Sequence, residues 1–202
     1  MRPPSRSVVT PSRRPVPRGR CSYGTESRND VVTRKNVHVR VARETPGPGQ
    51  ESVWDYPRPP ACVRSGRHVL VRLGGAVVAD SRRAFRVLET SHPPTWYLPR
   101  DDVADGVLQP SATGSTFCEW KGDATYWDVA AGGDVVRGAA WSYEHPTAGF
   151  EAITGAVTFY PSRFECVVDG ERVRPQEGGF YGGWITDDVV GPFKGGPGTW
   201  GW

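Results

Sequence analysis

Between Thr116 and Gly122 the chain reads Thr-Phe-Cys-Glu-Trp-Lys-Gly. Five consecutive positions carry a thiol, a carboxylate, an indole, an ammonium and a glycine. Cys118 is a candidate nucleophile if Lys121 or His92 lowers its thiol pKa. Lys121 stands beside Gly122, where backbone can approach closely, and a flexible ammonium there suits an anionic ligand group. His92 precedes Pro93-Pro94, which hold the chain extended or turned. A ring on so stiff a loop is a candidate general base or hydrogen-bond partner. Trp96, Tyr97, Tyr126, Trp127, Trp141 and Tyr143 flank these positions and are candidates to line a pocket for a planar ring or a cation. Arg86 and Glu89 are expected to pair with each other, to brace the His92 loop, or to touch the ligand.

Each of these groups also has a plainer use. Free cysteine usually behaves as a small buried apolar residue, and large aromatics in a β domain are mostly core. Adjacent aromatics on a strand send their rings to opposite faces. Half of the six therefore suit a pocket while the other half fill the core. The four His are far apart, and no two of the four Cys are close in sequence. No metal-ligand set, zinc ribbon or Cys-x-x-Cys site follows, and neither a metal nor a cofactor is expected.

Short strands and tight turns must position these groups. The run His68 to Leu73 alternates, with Val69, Val71 and Leu73 on one face, and Gly74-Gly75 offers a two-residue turn into Ala76 to Ala79. A second hairpin is expected from Ala124 to Tyr143 through Gly132-Gly133. A third is expected from Ala156 to Val168 through Pro161-Ser162-Arg163. Asp169-Gly170 offers a further turn. Helix is scarce: Pro99 to Leu108 suits one or two turns that would arch over the site, and Thr147 to Ile153 suits another.

The first fifty residues differ from the rest. They hold eleven Arg or Lys against three acids, and Tyr23 is their only aromatic; all eight Trp lie between Trp54 and Trp202. Residues 1–50 are therefore expected to be a disordered basic tail, and 51–202 a single domain. Clustered arginine gives such a tail a non-specific attraction for nucleic acid and no more. No apolar run approaches a membrane span. Widely spaced Cys point to a reducing cytosol. Trp120-Lys121-Gly122-Asp123 weakly echoes Phe193-Lys194-Gly195-Gly196, too short a match to establish a repeat.

Several motifs in order carry a resemblance. Glu51-Ser52-Val53-Trp54-Asp55-Tyr56-Pro57, Arg86 to Pro94, Cys118-Glu119-Trp120-Lys121-Gly122, Ala140-Trp141-Ser142-Tyr143 and Gly182-Gly183-Trp184 resemble the family catalogued as domain of unknown function 427, elsewhere called nucleotidyltransferase-like. The resemblance spans Glu51 to Trp202. It implies a compact, mostly β domain similar to the β-tent folds, and it brings no established activity. Many members resemble Cys-Pro-aromatic-Lys-Gly, whereas Glu119 stands here in place of the proline. Nucleotidyl transfer usually needs paired carboxylates on one face to hold magnesium. Asp101-Asp102 and Asp187-Asp188 are adjacent and would face opposite ways on a strand.

The expectation is thus a mainly β protein: one compact antiparallel domain, similar to β-tent folds, with one or two short helices behind a disordered tail. Its function is read as a cytosolic pocket for a small anionic or planar metabolite. The alternatives are an enzyme built on Cys118 with His92 and Lys121, nucleotidyltransferase-like activity and, more weakly, nucleic-acid binding through the tail.

Overall fold

The computed structural model describes residues 41–199 and 202. The basic tail lies outside the described residues up to position 40, and so does any nucleic-acid contact it would make. The protein is mainly β, built from several antiparallel sheets. In chain order the strands are β1 (Glu51–Ser52), β2 (Ala61–Arg64), β3 (Val69–Leu73), β4 (Ala76–Ser81), β5 (Phe85–Glu89) and β6 (His92–Tyr97). There follow β7 (Leu108–Pro110), β8 (Thr116–Cys118), β9 (Gly122–Ala131), β10 (Asp134–Ser142) and β11 (Val157–Phe159). The last five are β12 (Glu165–Val168), β13 (Glu171–Arg172), β14 (Arg174–Pro175), β15 (Trp184–Ile185) and β16 (Val189–Val190).

The glycine pairs form the expected turns. Gly74-Gly75 closes β3–β4 with φ of 55° and 80°, and Gly132-Gly133 closes β9–β10 with 59° and 87°. Two consecutive positive φ values match the twist of flanking strands, and glycine reaches them without steric cost. Asp169-Gly170 does the same between β12 and β13.

The third hairpin does not form. β11 pairs with β10, whereas β12 pairs with β3 and β13. The turn at Pro161-Ser162-Arg163 carries the chain from one sheet to another, and each strand satisfies its backbone with a partner distant in sequence. The helices shrink as well. Pro99 to Leu108 yields one 3₁₀ turn at Arg100–Asp102, and Thr147 to Ile153 yields another at Glu151–Ile153. Ser81 and Arg83 hold the Asp102 carboxylate at the end of the first turn, and the chain leaves it extended at Val103.

Two large apolar clusters form. The larger is fed by β3, β4, β6, β9 to β12 and β15, with Trp96, Trp184 and Phe159 fully buried. The second, around Val87, Tyr97, Trp141, Tyr143, Phe150 and Ile153, lies on the opposite faces of β6, β9 and β10. Across β9–β10, Trp141 stands opposite Tyr126 and Ala140 opposite Trp127. Strand alternation sends the first pair to the second cluster and the second pair to the main core.

Residues 43–50 touch the domain. The Glu44 N–H donates to the Gly191 carbonyl at 3.1 Å, Arg43 lies over the Trp54 ring, and the Gln50 amide donates to the Asp187 carbonyl at 2.6 Å. The segment from Gly191 onward docks too: the Trp54 indole N–H donates to the Pro192 carbonyl, and the Trp54 and Trp202 rings meet edge to face at 5.3 Å. No helix among the described residues is long and apolar enough to cross a membrane.

Candidate functional site

The second cluster floors a pocket of about 430 Å³. The structure brings Cys118, His92 and Lys121 to its wall, together with Glu89, Tyr97, Tyr126, Trp141 and Tyr143. Trp96, Trp127 and Arg86 lie elsewhere. Trp96 is 1% exposed in the main core beside Trp184. Trp127 packs against the same core under the Arg100 guanidinium, and its indole donates to the Ser142 hydroxyl at 2.8 Å. Arg86 faces Trp96 across β5–β6, reaches over its ring and pairs with Glu51. The expected Arg86–Glu89 pair is therefore replaced: Glu89 pairs with Lys194 at 3.5 Å and with Arg58 at 3.4 Å. The turn at Arg100–Asp102 forms no arch, since none of residues 99–108 lines the pocket.

Register explains how His92 arrives. Phe85, Arg86 and Val87 pair with Tyr97, Trp96 and Thr95 in sequence, but Glu89 pairs with His92. One extra residue is thus taken up at Pro93-Pro94. Proline donates nothing to a ladder and is at home in such a bulge. The bulge restores His92 to the face that Val87, Thr95 and Tyr97 share. Its ring is 8% exposed and meets Tyr181 edge to face at 5.4 Å. Nδ1 lies 2.6 Å from the Pro93 carbonyl oxygen. Since that oxygen only accepts, Nδ1 carries the proton and Nε2 keeps its lone pair. Burial drives the pKa down to about 4, against the pull of the Pro93 carbonyl, so the ring is neutral near pH 7.

Lys121 ends the three-residue turn between β8 and β9, and Gly122 follows at φ 89°. A glycine in that region completes a bulged hairpin loop. Thr147 clamps the turn: its hydroxyl donates to the Trp120 carbonyl and its N–H to the Lys121 carbonyl. The Lys121 side chain is 9% exposed, its ammonium 5.7 Å from the Tyr143 ring centre and 6.0 Å from that of Phe150. No carboxylate pairs with it among the described residues. Cys118 is half-buried and forms no disulfide, and it lines the pocket with Tyr143. No hydrogen bond joins it to His92 or Lys121 among the described residues. Burial raises the hydroxyl pKa values of Tyr97, Tyr143 and Tyr160, so all three stay protonated.

Sequence reasoning missed the far wall. Phe180, Tyr181, Gly182 and Lys194 complete the pocket, with Tyr160 on its side. Gly182 lies against Trp141, where an added Cβ would overlap the indole. Gln176, 5% exposed, ties this wall together: its amide N–H donates to the Lys194 carbonyl at 2.6 Å, and its carbonyl accepts from the Gly183 N–H at 3.0 Å. The Lys194 N–H in turn donates to the Ser91 carbonyl, beside His92. The signal was the weak echo itself. Trp120-Lys121-Gly122 and Phe193-Lys194-Gly195 each set a lysine before a glycine of positive φ, and both ammoniums reach one pocket. None of the domain's twelve arginines does.

Among the described residues no group of three or more His, Cys, Asp or Glu side chains is placed to hold a metal ion. The adjacent carboxylates serve other partners: Asp102 holds Arg83, Asp187 holds Arg174 and Asp188 holds Arg67. None of these lines the pocket, whose carboxylates are Glu89 and Glu119.

No curated protein matches the chain. Residues 61–170 match the family described as a domain of unknown function, number 427, which holds β2 to β12 and the Lys121 wall but stops short of Tyr181 and Lys194. The chain belongs to the domain of unknown function 427 family.

Proposed function

We propose that this domain binds a small organic anion carrying a planar ring. One observation carries the reading: Lys121, 9% exposed, turns its ammonium into the pocket among aromatic rings with no counter-ion among the described residues. An unpaired buried charge costs free energy unless a partner compensates it. A bound anion is such a partner, and the tyrosine and tryptophan walls suit a ring. The enzyme reading draws less support, because no hydrogen bond joins the Cys118 thiol to a base among the described residues. Three unpaired thiols, at Cys62, Cys118 and Cys166, favour a reducing compartment, the cytosol.

Calorimetry with benzoate and its uncharged counterpart benzamide tests the reading. Benzoate should bind and benzamide should bind at least tenfold more weakly. Lys121→Met should remove that difference while leaving the fold intact, since it replaces a buried ammonium by an apolar chain of similar length. Equal affinity for the two probes, or benzoate binding indifferent to Lys121→Met, would refute it.

A further inference from the structure

We infer that the ligand is an aromatic acid that also bears a hydroxyl or amino group, whose anion meets Lys121 and whose O–H or N–H donates to His92 Nε2. This rests on the anion-binding reading above and narrows its ligand class.

The two side chains make opposite demands. An ammonium has three donors and no acceptor, so Lys121 asks for an acceptor and, for its charge, an anion. His92 asks for the reverse. The Pro93 carbonyl fixes the proton on Nδ1, and Nε2 finds no donor among the described residues. More than nine-tenths of the residue is buried, and Nε2, open to the pocket, is left to be met by what the pocket holds. A bare carboxylate satisfies Lys121 but offers His92 only further lone pairs. A ligand that combines the anion with a donor satisfies both. Protonation of the imidazole does not resolve the mismatch near pH 7, because burial and the nearby lysines favour the neutral ring.

The framework between these groups is read from the walls. Tyr97, Tyr126, Trp141 and Tyr160 present rings, with Trp141 and Tyr160 centred 4.5 Å apart. Phe117 and Phe180, at 73% and 64% exposure, extend the aromatic lining to the rim. Exposed phenylalanines are expected only singly on an ordinary surface, and here two border one opening. About 430 Å³ accommodates one or two rings and falls within the usual span of small-molecule sites.

The test is a calorimetric series of benzoate, the hydroxybenzoates and aminobenzoates, and methoxybenzoates of matched geometry. At least one hydroxyl or amino isomer should bind about tenfold more tightly than benzoate and than its methoxy counterpart, the margin of one buried hydrogen bond. His92→Phe should abolish that margin, read as the ratio of the hydroxyl or amino isomer's affinity to that of its methoxy counterpart within the variant. His92→Gln, which keeps an acceptor, should retain part of it. Should His92→Phe fail to fold, the hydroxyl-against-methoxy comparison in the unaltered protein decides alone. Lys121-dependent benzoate binding with no isomer preferred would overturn this inference and leave the anion reading standing. Binding of no acid at all would overturn both.

Discussion

Glu89 pairs with His92 one residue out of the register that Val87 and Thr95 set. That single slip decides which side of β6 the imidazole occupies. Without it, strict alternation would put His92 on the face of Trp96, and the pocket would lose its buried acceptor.

The first prediction concerns pH. His92 has a folded pKa of about 4 against an ordinary value of 6.5. Between these values the unfolded chain binds the proton and the folded chain does not. Stability therefore rises with pH across that window and falls as pH drops from 6.5 toward 4, by on the order of 3 kcal/mol in full. The carboxylates held low by partners, such as Asp102, Asp169 and Asp188, are shifted in the same direction but from a lower ordinary value. Their stabilisation is present above pH 3.8 and is lost only as pH falls below it. Urea midpoints between pH 5 and 6.5 should thus slope upward with pH and flatten in His92→Gln. An equal slope in the variant would contradict the assignment.

The second prediction concerns the close approach of Gly182 to Trp141. Gly182→Ala must push the 180–183 loop off the indole, because Trp141 is 8% exposed and packed against Tyr160. A loss of about 1–3 kcal/mol is expected, as for other overpacked sites, with a change in tryptophan emission. Trp141→Ala should cost more, about 3–5 kcal/mol, because this side chain serves core and pocket at once. Thermal denaturation of the two variants checks the order.

The third prediction concerns the second lysine. Glu89 compensates Lys194 and Arg58 at the pocket wall. Glu89→Gln removes that compensation and should tighten benzoate binding by about threefold to tenfold at low salt, with the gain shrinking as salt is added. Unchanged affinity would show that Lys194 does not reach the anion.

Much of the fold was legible because its turns are local. Gly74-Gly75, Gly132-Gly133 and Asp169-Gly170 announce positive φ in the chain itself, and each one closes a hairpin. The pairing of β12 with β3 was not legible, because nothing in the Pro161-Ser162-Arg163 turn says that the chain leaves its neighbour for a strand nearly a hundred positions back. In the site, alternation correctly implied that Trp96 and Tyr97, and Tyr126 and Trp127, would split between core and pocket. It could not say which member goes where, since that depends on register against a partner strand. Lys194, Tyr181 and Gln176 were hidden for the same reason: hydrogen bonds to Ser91 and Gly183 bring them in, not any periodic pattern.

Gln176, Tyr181 and Lys194 lie well downstream of the Lys121 turn, and this has a consequence for synthesis. The polypeptide leaves the ribosome in order, and domains form as their segments emerge. The Lys121 wall is complete in sequence once Phe150 has appeared, yet it then has no facing wall, and its aromatic floor lies open to the surroundings. Only when Gln176 gathers the following segment does the open floor gain its facing wall. The proposed binding would therefore need residues beyond 170, and a chain halted there would carry the family's matched segment without the far wall of the pocket.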